Sequence, residues 1–60
     1  MIKLSEIKKV FNGYIPIDIY ENGRRIFAGV VRNIPIELED YEVVAGDIIN
    51  NRIDCEVTKK

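Results

Sequence analysis

The sequence predicts an α+β domain in which a short N-terminal helix packs on a small antiparallel sheet made of two hairpins. Apolar residues with helical spacing come first in the chain, and two β-rich halves follow, each folded around an asparagine turn, Asn22-Gly23 or Asn50-Asn51. With 60 residues, 47% of them apolar, the chain is expected to form one domain over residues 1–60 with one core. The predicted order of elements is therefore α-β-β-turn-β-β.

The helix is predicted from about residue 6 to residue 11 or 12. Ser5 suits the N-cap, and Ile7, Val10 and Phe11 follow at i, i+3 and i+4, on one stripe. Asn12-Gly13 then ends the helix, because glycine readily takes the left-handed conformation that closes helices. Two turns of helix are not stable alone, so the stripe is expected to pack on the sheet.

The first hairpin is predicted from alternating isoleucines over Tyr14–Tyr20 and a β-rich run over Arg25–Ile34. Asn22-Gly23 between them favours a two-residue type I′ turn. Pro16 has no amide proton to donate to a neighbouring strand. We therefore expect either that its nitrogen points away from the partner strand or that this strand lies at an edge of the sheet. The turn sets the expected pairs: Glu21 with Arg24, Ile19 with Ile26, Ile17 with Ala28 and Ile15 with Val30.

The second half begins with an ambiguous segment. Pro35 and the acids that follow it suit one helical or 3₁₀ turn over Ile36–Tyr41, which we favour, although Ile36 and Leu38 also alternate as in a strand. A second hairpin is predicted over Glu42–Ile49 and Arg52–Val57, since asparagine tolerates the positive φ that its turn requires. Its buried face is expected to pair Val44, Gly46 and Ile48 with Val57, Cys55 and Ile53.

The composition argues against catalysis. The chain has no histidine, one cysteine, and only Ser5 and Thr58 as hydroxyl nucleophiles, so the usual catalytic triads and zinc ligand sets are missing. Cys55 is interpreted as a packed thiol. Asp47 and Asp54 are expected to face each other across the second hairpin. We interpret them as solvated surface residues in preference to a metal site or an acid–base pair. No enzyme, cofactor, catalytic residue or metal ligand is therefore predicted.

Charge and core size bear on partners. The net charge of −1 argues against general nucleic-acid binding, and no apolar run is long enough for a membrane span. A lone cysteine and the lack of a signal peptide predict a cytoplasmic protein. Residues 1–35 carry +3 and residues 36–60 carry −4, so the halves complement each other either within the fold or between subunits. A small core without disulfide or metal predicts a homo-oligomer.

The candidate binding site lies on the outer face of the first hairpin, where the expected alternation places Tyr20 near Arg25 and Asp18 near Phe27. Tyrosine and arginine are enriched at binding hot spots, and Arg24, Arg25 and Arg32 also form a basic edge suited to a phosphorylated ligand. Alternatively, Phe27 and Val31 pack beneath the helix or beneath residues 36–41. The candidate binding residues are Tyr14, Tyr20, Arg24, Arg25, Phe27 and Arg32.

The stretch I-F-A-G-V-V-R-N-I-P, residues 26–35 after an Asn-Gly turn, resembles short accessory proteins encoded by phages and prophages of low-GC Gram-positive bacteria. The resemblance implies a class of role, the inhibition of host defence by occupying a protein surface or by sequestering a nucleotide signal. Together with the composition and the small core, we expect a non-enzymatic protein in the host cytoplasm that self-associates and engages a host protein. The resemblance also leaves open an oligomer that sequesters a phosphorylated or nucleotide signal, and a structural domain without a ligand. It implies no site residues.

Overall fold

The computed structural model describes residues 2–59 and has the predicted α+β order. Two short 3₁₀ turns, Val31–Asn33 and Ile36–Leu38, lie between the two hairpins, so the helical alternative for the start of the second half is confirmed. The regular elements are helix α1 (Leu4–Val10) and strands β1 (Pro16–Glu21), β2 (Arg24–Val30), β3 (Glu42–Ile49) and β4 (Arg52–Thr58).

The four strands form one sheet in the order β2-β1-β4-β3. Both predicted antiparallel hairpins are confirmed, and the central strands β1 and β4 join them through a parallel pairing that was not predicted. The reason is that residues 31–41 cross from one edge of the sheet to the other, and β4 then returns beside β1. Pro16 is the first residue of a central strand, which corrects the edge-strand alternative.

Helix α1 begins earlier than predicted because the crossing segment supplies its caps. Its N-cap is Lys3, not Ser5. The amides of Leu4 and Ser5 donate to the carbonyl oxygens of Tyr41 and Glu39, at 3.1 Å each, and the Lys3 amide donates to a carboxylate oxygen of Glu6 at 2.8 Å. Backbone carbonyl groups from another part of the chain therefore accept the hydrogen bonds of the first helical amides, in place of a capping side chain.

Gly13 is needed for close approach and not for a left-handed helix end. Its φ is not positive, and α1 ends where Phe11 turns to extended φ and ψ of −96° and 152°. A Cβ atom at Gly13 would lie 2.9 Å from the Cβ of Arg32, whose amide donates to the Gly13 carbonyl oxygen at 2.9 Å. The glycine thus lets the chain before β1 lie against the chain after β2.

Both hairpin turns have the predicted positive φ angles, 54° and 79° at Asn22 and Gly23 and 53° and 61° at Asn50 and Asn51. Each hairpin also contains a β-bulge that the sequence reading missed. After Glu21–Arg24 and Tyr20–Arg25, the register of the first hairpin shifts by one residue. The observed pairs that replace the predicted ones are Ile19–Phe27, Asp18–Ala28, Ile17–Gly29 and Pro16–Val30.

In the second hairpin, the predicted pairs Gly46–Cys55 and Ile48–Ile53 are confirmed. Val57 instead faces Val43, because Val44 is the extra residue of the bulge. A bulge aims two successive side chains differently from a regular strand. As a result, Val44 is exposed, contrary to its predicted place in the buried face.

The core lies on the face of the sheet covered by α1 and the crossing segment. Its buried members are Leu4, Ile7, Ile17, Ile19, Val31, Ile34, Ile53, Cys55 and Val57. Two ion pairs join bases of the first half to acids of the second, Lys8–Glu39 at 2.7 Å and Lys3–Asp40 at 4.0 Å. Arg52–Asp18, at 2.9 Å, joins the halves with the charges reversed. None of the helices in the described chain is long and apolar enough to cross a membrane.

Candidate functional site

The predicted site residues do not converge on one surface. Tyr14 precedes β1 and lies beside Arg32, whose Nη1 donates to the tyrosine hydroxyl at 2.7 Å. The Arg32 guanidinium also lies over the Tyr14 ring, 5.0 Å from its centre, and both side chains are exposed. This pair forms a small cation–π contact on the surface.

Arg24 and Arg25 lie at the opposite end of β2 from Arg32. Tyr20 faces Arg25 as predicted, next to the Asn-Gly turn. Arg25 and Val30 are separated by about 17 Å along the strand, at 3.3–3.4 Å per residue, and Arg32 comes after Val30. The three arginines of one chain therefore cannot contact the same small phosphorylated ligand.

Phe27 is half-buried against the core, which corrects its predicted place on the outer face. The bulge at Ile26 turns Phe27 to the side of Ile19, where its ring packs against the core. A Cβ atom at Gly29 would lie 3.0 Å from the ring, so the ring lies across this glycine. Val31 is fully buried, which confirms the packed alternative for both residues.

Asp18 forms a charged centre on the outer face that the sequence reading did not identify. Asp18 is 6% exposed, and its Oδ2 accepts a hydrogen bond from Arg52 Nη2 at 2.9 Å. Oδ1 is buried without a hydrogen-bond partner among the described residues, and Arg25 Nη1 lies 3.9 Å from it. The hydrogen bond from Arg52 lowers the pKa of Asp18 and outweighs burial, with further lowering by the charges of Arg52 and Arg25.

Carboxylates of three neighbouring strands share this outer face. Asp18 pairs with Asp54, and Asp54 pairs with Asp47, in the registers of β1, β4 and β3. Within residues 2–59, no three potential metal ligands come together in a way that would hold a metal ion. Arginines neutralise Asp18, whereas Asp47 and Asp54 are both exposed.

An apolar groove lies on the other face of the sheet, between α1 and the edge strand β3. It is open on one side and has a volume of about 280 Å³. We call it the α1–β3 groove. Its lining comes from the N-terminal segment, α1, β3 and β4: Ile2, Ile7, Phe11, Val43, Gly46, Asp47, Ile48, Ile53 and Cys55.

Gly46 is one of the residues that line this groove, and it has no side chain to fill it. It occupies a position of β3 that faces the core side, opposite the buried Cys55, and a Cβ atom there would meet only ordinary contacts, 3.4 Å or more. Ile48, two residues later on the same face, is 59% exposed. The predicted burial of Gly46 and Ile48 is therefore wrong, because no helix or strand within residues 2–59 covers this part of β3. The signal for the groove was a glycine at an apolar position of a strand.

The free edge of β3 is partly covered by the chain itself. Lys3 bridges Glu42, and the Val43 amide donates to the carbonyl oxygen of Ile2 at 2.8 Å. Beyond Val43, the edge from Val44 to Ile49 has no neighbouring strand within the described part of the chain. Val44, Ile48 and Ile49 are all exposed apolar side chains there.

Cys55 lies at the bottom of the α1–β3 groove as a buried thiol, in agreement with its predicted packing role. Burial raises its pKa from 9.0 to about 11, and the charges of Asp54 and Glu56 add to this effect. The thiol is therefore protonated at neutral pH, and a protonated thiol is a poor nucleophile.

Comparison of the chain with protein-family models, with curated proteins and with solved structures found no match.

Proposed function

We propose that this chain is a binding protein without catalytic activity, which acts in the host cytoplasm by engaging a host protein through the α1–β3 groove. The observation that supports the proposal is an open apolar groove that continues onto the exposed side chains of an edge strand. Exposed apolar surface of this kind, rimmed by polar residues, marks sites of protein interaction. The role as an inhibitor of host defence belongs to the same proposal and rests on the phage-type resemblance.

The groove suits a protein side chain better than a charged metabolite. Its walls are aliphatic and aromatic, from Ile7, Phe11, Val43 and Ile48, and Asp47 is the charged residue of its lining. Among the described residues, no lysine or arginine lines the groove to bind a phosphate group. Sequestration of a phosphorylated signal would have to use the arginines of the first hairpin, and these lie at both ends of β2.

The experiment uses Gly46 to close the groove without unfolding the protein. Gly46→Leu places a side chain in the groove, and Gly46→Ala adds one methyl group at ordinary contact distance as the matched control. Wild type and both variants are immobilised and exposed to a cytoplasmic extract of a low-GC Gram-positive bacterium. A captured protein is then purified, and its affinity for each variant is measured by calorimetry.

We expect wild type and Gly46→Ala to bind the purified host protein, and Gly46→Leu to bind it at least tenfold more weakly. A loss of tenfold corresponds to about 1.4 kcal/mol, which is within reach of one excluded apolar side chain. Equal affinity for all three variants would show that the groove is not the binding site.

A further inference from the structure

We propose that the partner adds an extended segment to the edge of β3, with an apolar side chain in the α1–β3 groove and a lysine or arginine beside Asp47. This inference rests on the proposed function and names the chemistry of its partner. Recognition of this type joins backbone hydrogen bonds along the strand to pockets for alternate side chains.

The edge offers a template of suitable length. From Val44 to Ile49, β3 has β4 on one side and no strand on the other within residues 2–59. Six residues of strand extend over about 20 Å, and their outward backbone groups are available for hydrogen bonds. Residues 2 and 3 cover the start of the strand, so an added segment is confined to this stretch.

The pleat of β3 determines which side chains of the partner meet which surface. Directly opposed residues of paired strands lie on the same face of the sheet. A residue opposite Gly46 therefore lies on the groove side, where the glycine leaves space. Its neighbour lies opposite Asp47, on the outer face.

Charge complementarity selects a basic partner. Asp47 and Asp54 face each other on adjacent strands, and both are exposed. Arg52, the nearest cation along β4, is already bound to Asp18. Two opposed carboxylates repel each other, and a lysine or arginine on an added strand relieves this repulsion.

The same features disfavour a second copy of the chain as the occupant. Pairing β3 with the β3 of another copy brings the two Asp47 side chains onto the same short stretch of outer face. The opposite edge, β2, does not supply a free cation along Ile26–Val30, and its Arg25 already lies 3.9 Å from a carboxylate oxygen of Asp18. A strand from a different protein meets neither obstacle.

The test uses two synthetic peptides of about eight residues, one alternating valine with lysine and the other alternating valine with glutamate, labelled for fluorescence anisotropy. Wild type is expected to bind the lysine peptide at least tenfold more tightly than the glutamate peptide. Asp47→Lys should reverse this preference. Glu37→Lys, the same charge change at an exposed residue outside the groove, should leave it unchanged.

Gly46→Leu should weaken binding of the lysine peptide tenfold or more, because the leucine side chain occupies the space that a valine of the peptide would enter. Equal binding of the two peptides, or a preference that Asp47→Lys does not reverse, overturns strand addition. A wild-type protein that sediments as a dimer and binds neither peptide identifies a second copy as the occupant. If capture of a host protein is lost in Gly46→Leu but unchanged in Asp47→Lys, the proposed function stands. That result refutes only the proposal that the partner adds a basic strand.

Discussion

The charged centre at Asp18 makes a quantitative prediction about stability. Asp18→Asn keeps the shape of the side chain and removes its charge, which weakens the 2.9 Å hydrogen bond from Arg52. A hydrogen bond to a charged group contributes about 1.5–3 kcal/mol, and the Arg52 side chain is half exposed, so that water replaces part of the loss. We therefore expect Asp18→Asn to lower the free energy of unfolding by about 1–2 kcal/mol.

The effect should depend on pH in a defined direction. The pKa of Asp18 is lowered from its ordinary value of 3.8 in the folded state, so the unfolded chain binds this proton more readily. The stabilisation is complete above pH 3.8 and is lost as pH falls through the lowered pKa. The stabilities of wild type and Asp18→Asn should therefore differ at pH 7 and converge in strong acid.

Thermal unfolding followed by circular dichroism at several pH values between 2 and 7 measures both effects. For a domain of this size, 1–2 kcal/mol corresponds to a fall in Tm of roughly 5–15 °C. Asp40→Asn serves as the control, because the Asp40 side chain is 96% exposed and should change Tm little. A difference between wild type and Asp18→Asn that stays constant from pH 7 to pH 2 would refute the role of the Asp18 charge.

Three further predictions concern single residues. Gly23→Val should cost about 1–3 kcal/mol, because φ is 79° and no atom lies within 4 Å of its Cβ position, so the cost is backbone strain alone; Gly23→Asn should retain most of the wild-type Tm. Gly13→Ala should lower the free energy of unfolding, measured by denaturant titration, by about 1–3 kcal/mol, because its methyl group meets the Cβ of Arg32 at 2.9 Å. Cys55 should react with iodoacetamide at pH 8 far more slowly than an exposed thiol, because it is buried and protonated, and its contribution to stability should be lost as pH rises from 9 towards 11.

Local signals in the sequence predicted the elements well. The two asparagine turns set the hairpins, because asparagine and glycine tolerate the positive φ angles that the structure shows. The 3₁₀ turn after Pro35 followed from proline chemistry in the same way. These features depend on a few neighbouring residues, which is why a single sequence contains them.

Features that depend on distant parts of the chain were not predictable in this way. The parallel pairing of β1 with β4 follows from the path of residues 31–41, and the helix cap is supplied by carbonyl groups of Glu39 and Tyr41. The bulge at Ile26 moved Phe27 from the outer face to the core side of the sheet. One inserted residue reverses the side-chain alternation beyond it.

The α1–β3 groove was not predicted for a related reason. The tyrosines and arginines of the sequence favoured the first hairpin as the binding site, whereas the open apolar groove of the structure lies at β3. Gly46 contributes to that surface through a missing side chain, and Asp18 gains its role from arginines on two other strands. Neither arrangement can be seen before the strand order is known.

Amide hydrogen exchange of the isotope-labelled protein, free and saturated with a host protein captured as proposed above, tests the proposed binding surface most directly. Slower exchange in the complex is predicted for the edge from Val44 to Ile49 and for residues beside the α1–β3 groove, with little change along Arg24–Val30. Slower exchange along Arg24–Val30 and near Tyr14, with β3 unchanged, would contradict binding at the α1–β3 groove and would place the binding site on the first hairpin.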